Sequence, residues 1–141
     1  RMSMNRRQWL PVVVLATVVS GCASATRPAP HRKPDPSPTV NYGLASYYGE
    51  AFHQRETASG ARFDKAAMVA AHPTYPFGTV VRVTNLANKR QLVVRVVDRG
   101  PAKKPRAEGV LIDLSQGAAS HLGFIRQGRT RVRLEVLRWG D

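Results

Sequence analysis

Few side chains in this sequence of 141 residues have the types and spacing that do chemistry, and Asp98 comes first among them. It ends the apolar run from Leu92 to Val97 and precedes Arg99, Gly100 and Pro101, which turn the chain and leave a carboxylate at a rim. A carboxylate so placed can give or take a proton; it can also pair with Arg99 or cap the turn, and the residue pattern alone leaves these roles open. A guanidinium close by lowers a carboxyl pKa, so acid work near neutral pH requires burial to outweigh Arg99 or Arg99 to point away. Asp113, just ahead of a helix signal, is a second candidate, for ligand contact or for ordering the backbone there. His72 precedes Pro73 and is either a loop histidine or a hydrogen-bonding group of the site. Tyr47 and Tyr48 fall on opposite faces of a strand, so one belongs to the core and the other, taken as Tyr48, can stack on a ligand. Four scattered histidines and a single cysteine offer no metal-ligand spacing, and neither a phosphate-cradling loop nor an activated serine is present. No cofactor and no metal are expected.

These residues must be held by short β-type runs. Leu44 to Tyr48 is a first strand, and Val80 to Leu86 with Leu92 to Val97 form a hairpin around Ala87 to Gln91, with Asn88 able to take a left-handed turn. Val110 to Leu114 is a short apolar run. Arg131 to Leu137 alternates Val132, Leu134 and Val136 against Arg131, Arg133 and Glu135, the period-two pattern of a half-buried strand. One short helix is expected, capped by Ser115, with Ala118, Ala119 and Leu122 as its apolar stripe and Gly123 as its stop. A mainly β fold of six short strands and one short helix points to a small closed barrel, because closure removes edges that would otherwise aggregate.

The first forty residues do not belong to that domain. Arg6 and Arg7 precede an apolar run from Trp9 to Val19, a positive n-region and an h-region too short to span a bilayer, so residues 1–21 read as a signal peptide. Val19, Ser20, Gly21 and Cys22 resemble a lipobox, with Cys22 as the lipidated residue and the membrane anchor. Ala23 after it, rather than Asp, favours the outer over the inner membrane. Residues 22–41, with Pro28, Pro30, Pro34, Pro36 and Pro38 among charges, read as an extended linker, and the domain runs from 42 to 141. The chain carries +13, a balance that raises nucleic acid first, but export to the periplasmic face of the envelope excludes that partner. Within 42–141, 16 Lys and Arg against 8 Asp and Glu leave +8, which suits an anionic polymer or, more simply, a solvated surface.

Seven motifs narrow this further: G-L-A-S-Y-Y-G at 43–49, T-A-S-G at 57–60, A-A-H at 70–72, P-F-G-T at 76–79, V-R-V-T-N-L at 81–86, V-D-R-G-P at 97–101 and I-D-L-S at 112–115. In this order they resemble the rare lipoprotein A (RlpA-like) family over nearly the whole domain. The resemblance implies a double-psi β-barrel and an endolytic lytic transglycosylase acting on peptidoglycan. On glycan strands stripped of stem peptides, such an enzyme would leave 1,6-anhydro muramic ends. There the C6 hydroxyl of the muramic acid attacks its own anomeric carbon, so one carboxyl that gives a proton and then takes one can suffice. Asp98 matches the family's catalytic aspartate, and His72 a family histidine; Tyr48, His72, Arg99 and Asp113 are the expected substrate contacts. The family's T-A-S-G is usually followed by a glutamate, where this chain has Ala61; Glu56 and Asp64 lie near but off that position. The competing reading is therefore a noncatalytic, expansin-like peptidoglycan-binding lipoprotein. Cell-division proteins are further candidate partners. No peptidoglycan-binding repeat follows the motifs, so the barrel alone is expected to find the substrate.

Overall fold

The computed structural model describes Gly21 and residues 38–141; the leader, Cys22 and most of the linker lie outside the described residues. Six strands, β1 (Val40–Tyr47), β2 (Val69–Ala71), β3 (Val80–Asn85), β4 (Gln91–Asp98), β5 (Val110–Leu114) and β6 (Thr130–Arg138), close into a barrel in the order β1-β5-β2-β4-β3-β6. β1 pairs in parallel with β5 and β2 with β4, while the remaining neighbours are antiparallel. Two parallel pairs inside an otherwise antiparallel ring are the double-psi arrangement. Alternation fills the interior: Val81 and Val83, Val94 and Val96, and Val132 and Leu134 are all at most 1% exposed.

The helix α2 (Gln116–Leu122) plugs one side of the core with Ala118, Ala119 and Leu122. Its ends are as expected: the Ser115 Oγ accepts the Ala118 N–H at 3.1 Å, and Gly123 takes φ 75°. The Leu122 carbonyl accepts from the side-chain amides of both Asn85 and Asn88, each at 2.8 Å. Among the described residues every core residue comes from 45–136 and the barrel leaves no sheet edge open, so it has a core of its own and folds as a unit.

Four local features correct or add to the reading of the sequence. β1 begins at Val40, and Thr39 accepts the Val136 N–H at 2.9 Å, so the domain starts before Tyr42 and takes the last linker residues into the sheet. In the β3–β4 turn the left-handed residue is Lys89 (φ 65°), not Asn88, whose side-chain oxygen instead accepts the Arg90 N–H. β2 has too few residues to show a period. Residues 103–107 form a five-residue helical turn, α1 (Lys103–Ala107), with no buried residue.

Candidate active site

β2 lies between β4 and β5, and the register aligns Ala71 with Asp98 on one side and with Asp113 on the other. Two carboxylates 15 positions apart in sequence therefore flank one alanine, their Cα atoms about two strand spacings, roughly 10 Å, apart. Gly100 lets their surroundings close up: a Cβ there would stand 3.2 Å from Asp113 Oδ2, 3.5 Å from the Ala71 Cβ and 3.8 Å from the Tyr48 hydroxyl. The open side is a cleft of about 380 Å³ whose lining includes Ser46, Tyr48, Phe52, Arg99, Gly100 and Asp113.

Asp98 is half-buried and receives three hydrogen bonds. Its Oδ1 accepts from the backbone N–H of Ala58 (2.9 Å) and of Arg99 (2.8 Å), and its Oδ2 from the Tyr48 hydroxyl (2.9 Å). The Ala58 bond comes from the T-A-S-G loop, which is also tied to β4 through the Ser59 N–H to the Val97 carbonyl at 3.2 Å. Asp98 thus does cap its turn, but it does not pair with the neighbouring guanidinium. Arg99 swings away, donating to the carbonyls of His72 (3.2 Å) and Tyr75 (2.8 Å), with its guanidinium 4.0 Å over the Phe77 ring. The guanidinium next in sequence therefore forms no ion pair with the Asp98 carboxylate.

Asp113 accepts a short hydrogen bond from the Ser46 hydroxyl. Burial pushes its pKa above the ordinary carboxylate value; the Ser46 bond and Arg129 oppose the shift, and the charge of Asp98 adds to it. Tyr48 is pushed up strongly by burial and then by Asp98, so it stays a hydrogen-bond donor. Its ring packs against Phe52 and Phe63, with centroids at 5.3 and 4.8 Å. Tyr47 is the core partner of the pair, edge-on to Phe124 with its hydroxyl donating to the Ile125 carbonyl at 3.0 Å.

His72 meets Asp98 through its backbone and not through its ring. The contact is from its backbone N–H to the Asp98 carbonyl, at 3.1 Å. The ring, buried, stacks on Tyr75 at 3.5 Å, and its Nδ1 accepts the N–H groups of Thr74 and Tyr75. Burial, then Arg99, lowers its pKa to about 4, so it is neutral near pH 7 with its one proton on Nε2. Ala61 is exposed, and its carbonyl accepts the Thr57 N–H and hydroxyl, both at 2.8 Å. Two members of the site were not singled out from sequence: the Ala58 N–H, which carries no side-chain signal, and Ser46. Ser46 was legible in principle, since it sits two residues before Tyr48, on the same face of the extended run.

A family described as lytic transglycolase matches residues 40–134, nearly the whole barrel. The chain is 48% identical over 99 residues to the endolytic peptidoglycan transglycosylase RlpA of Campylobacter jejuni, covering 70% of this chain and 34% of that protein. It is 54% identical over 97 residues to the probable endolytic peptidoglycan transglycosylase RlpA of Nostoc sp., covering 67% and 25%. With the corresponding protein of Aquifex aeolicus the identity is 49% over 98 residues, covering 70% and 42%. The match thus spans well under half the length of these relatives. Among solved structures, a Streptomyces papain inhibitor (24% identity, TM-score 0.56, 71% of this chain and 96% of that one) shares the fold. So does an expansin of Clavibacter michiganensis (20%, 0.56, 73% and 52%). On the match across 40–134, this chain belongs to the lytic transglycolase family.

Proposed function

We propose that the protein is an endolytic peptidoglycan lytic transglycosylase cutting between muramic acid and glucosamine in strands that lack stem peptides. The observation that carries this is the register pairing of Asp98 and Asp113 on either side of Ala71, with a cleft open beside them. Cleavage needs one proton delivered to the departing glucosamine oxygen and one removed from the C6 hydroxyl that attacks the anomeric carbon. Asp113, whose pKa is raised by burial, suits the delivery. Asp98, oriented by three donors, suits the removal, with the Tyr48 hydroxyl fixed against it. The sequence reading gave both steps to Asp98; the pair divides them. Arg99 and Tyr48 line the cleft and suit sugar contact, while His72 supports that wall through Tyr75 and the Arg99 guanidinium. Relatives named as peptidoglycan transglycosylases support the substrate class.

By this reading the barrel works in the cell envelope. The leader and the V-S-G-C segment support a lipid anchor at Cys22, with the outer membrane favoured by Ala23 and division proteins as candidate recruiters.

Incubating the protein with amidase-treated sacculi and measuring 1,6-anhydromuramic ends is the direct test. Product is expected from the parent and not from Asp98→Asn or Asp113→Asn. The second reading, a glycan-gripping protein that does not cut, is favoured by one observation, the methyl group at Ala61 where the family has a glutamate. It takes over if the parent retains sacculi but yields no more product than Asp98→Asn. A large gain in product from Ala61→Glu would then show a site intact except for that carboxylate.

A further inference from the structure

A second cavity, of about 310 Å³, lies beside the catalytic cleft, and its lining includes Phe77, Arg95, Arg138 and Trp139. The two share a wall. Arg99, which lines the cleft, lies 4.0 Å over the ring of Phe77, which lines the second cavity. Its cations are aligned by the sheet: Val80 on β3 is in register with Arg95 on β4 and with Arg138 on β6, so two exposed guanidinium groups flank one position. Neither makes an ion pair or a side-chain hydrogen bond among the described residues. The nearest acid along β6, Glu135, is already taken by Arg82 (3.3 Å) and Arg133 (3.0 Å), and Asp141 is the one acid in the lining.

Trp139 supplies an aromatic surface next to them. It is 50% exposed, far above the usual exposure of so large a ring, yet its position is fixed. It stands perpendicular to Tyr75 with centroids at 5.2 Å, and Tyr75 in turn stacks on His72. The next residue, Gly140, donates its N–H to Thr79 Oγ1 at 3.0 Å, and a Cβ there would come within 2.0 Å of the Phe77 carbonyl oxygen. Only glycine lets the chain pass so close beneath Phe77 and present Trp139 at the surface.

An exposed, rigid aromatic beside two arginines that make no ion pair among the described residues suits a sugar ring that carries a carboxylate. The ring offers an apolar face to Trp139, and the carboxylate takes charge-assisted, fork-shaped bonds from guanidinium. We propose that this cavity is a saccharide subsite for an acidic sugar, holding a muramic acid of the same strand, by its free lactyl carboxylate, away from the bond being cut. The proposal rests on the peptidoglycan reading above. It explains how a barrel prefers strands without stem peptides, since a peptide amide in place of the carboxylate has no charge to offer Arg95 and Arg138.

Trp139 and Trp9 are the two tryptophans of the chain, so the folding unit from residue 38 onward reports on Trp139 alone. Its emission is titrated with peptide-free glycan strands, with the same strands after amidation of their carboxylates, and with phosphatidylglycerol vesicles. The expected result is a saturable change with native strands, at least about tenfold weaker binding of amidated strands, and a similar loss in Arg95→Gln/Arg138→Gln. Trp139→Ala, followed by retention on immobilised strands, should weaken both strand types. Emission that responds to vesicles and not to strands, or a double arginine variant that binds native strands like the parent, overturns the proposal. Anhydro-end formation is measured in parallel. Cleavage by a parent whose variants bind unchanged refutes the subsite and spares the enzyme. Trp139-dependent binding without cleavage refutes the enzyme and spares an acidic-sugar site.

Discussion

Asp98→Asn separates chemistry from scaffolding in this site, because almost every hydrogen bond of Asp98 survives the change. The amide Oδ1 still accepts from Ala58 and Arg99, and the new Nδ2 donates to the Tyr48 oxygen, which accepts as readily as it donates. What is lost is the charge assistance. A hydrogen bond to an ionised group contributes about 1.5–3 kcal/mol against about 0.5–1.5 for a neutral one, or roughly 1 kcal/mol per bond. Half-burial reduces that, so the whole variant should lose about 1–2 kcal/mol. For a barrel of this size that is a fall in Tm of roughly 5–15 °C, leaving it folded at 25 °C. Asp98→Ala, which leaves all three donors unpartnered, should melt lower than Asp98→Asn. Activity should behave quite differently: removing the base costs about 10²–10⁴ in rate. The assay is release of anhydromuramic ends beside a thermal melt of each variant. If Asp98→Asn keeps its rate within about threefold of the parent, Asp98 does not touch the reaction; if it melts as low as Asp98→Ala, the hydrogen-bond account is wrong.

Three further outcomes follow from the same structure. Ser115→Ala removes the cap of α2 and also the donor to the Ala67 carbonyl, so it should cost about 2–3 kcal/mol, read by urea unfolding. His72 binds its proton less tightly folded than unfolded, so its contribution to stability is present above pH 6.5 and is lost as the pH falls toward about 4. His72→Asn, which keeps an acceptor for Thr74 and Tyr75, should flatten the fall in Tm across that window. Arg129 holds the Asp113 pKa down, so Arg129→Gln should move the alkaline limb of the rate profile to higher pH, and a limb that stays in place would deny Asp113 the role of acid.

The parts of the fold legible in sequence are those whose cause is local. Val110 to Leu114 and the helix from Ser115 to Gly123 are fixed by an apolar run, a capping hydroxyl and a glycine stop within one short stretch of chain. β6 shows its alternation openly. β2 does not, because three residues become a strand only through partners on both sides, β4 and β5, that arrive later in the chain. The same division holds in the site. Asp98 at the end of its strand was readable, whereas the direction of Arg99 depends on carbonyls 24 and 27 positions earlier, and no pattern around Arg99 encodes it. Resemblance supplied the remainder, the barrel topology above all.

The placement of Asp98 does not depend on the side chain at position 61. Two of the three supports of Asp98 are backbone N–H groups, one of them from the T-A-S-G loop that leads into Ala61. That loop is anchored to β4 by the backbone of Ser59 and folded on itself by Thr57, whose N–H and hydroxyl both reach the Ala61 carbonyl. None of these bonds uses the side chain at 61, so exchanging a carboxylate for a methyl there leaves the orientation of Asp98 untouched. The topology places a second carboxyl near Asp98: any chain that threads β2 between β4 and β5 brings the residues aligned with Ala71 to its two sides, and here both are aspartates. Their environments differ, Asp113 under the single hydroxyl of Ser46 with its pKa raised and Asp98 held by three donors, and the proposed division of acid and base work rests on that difference.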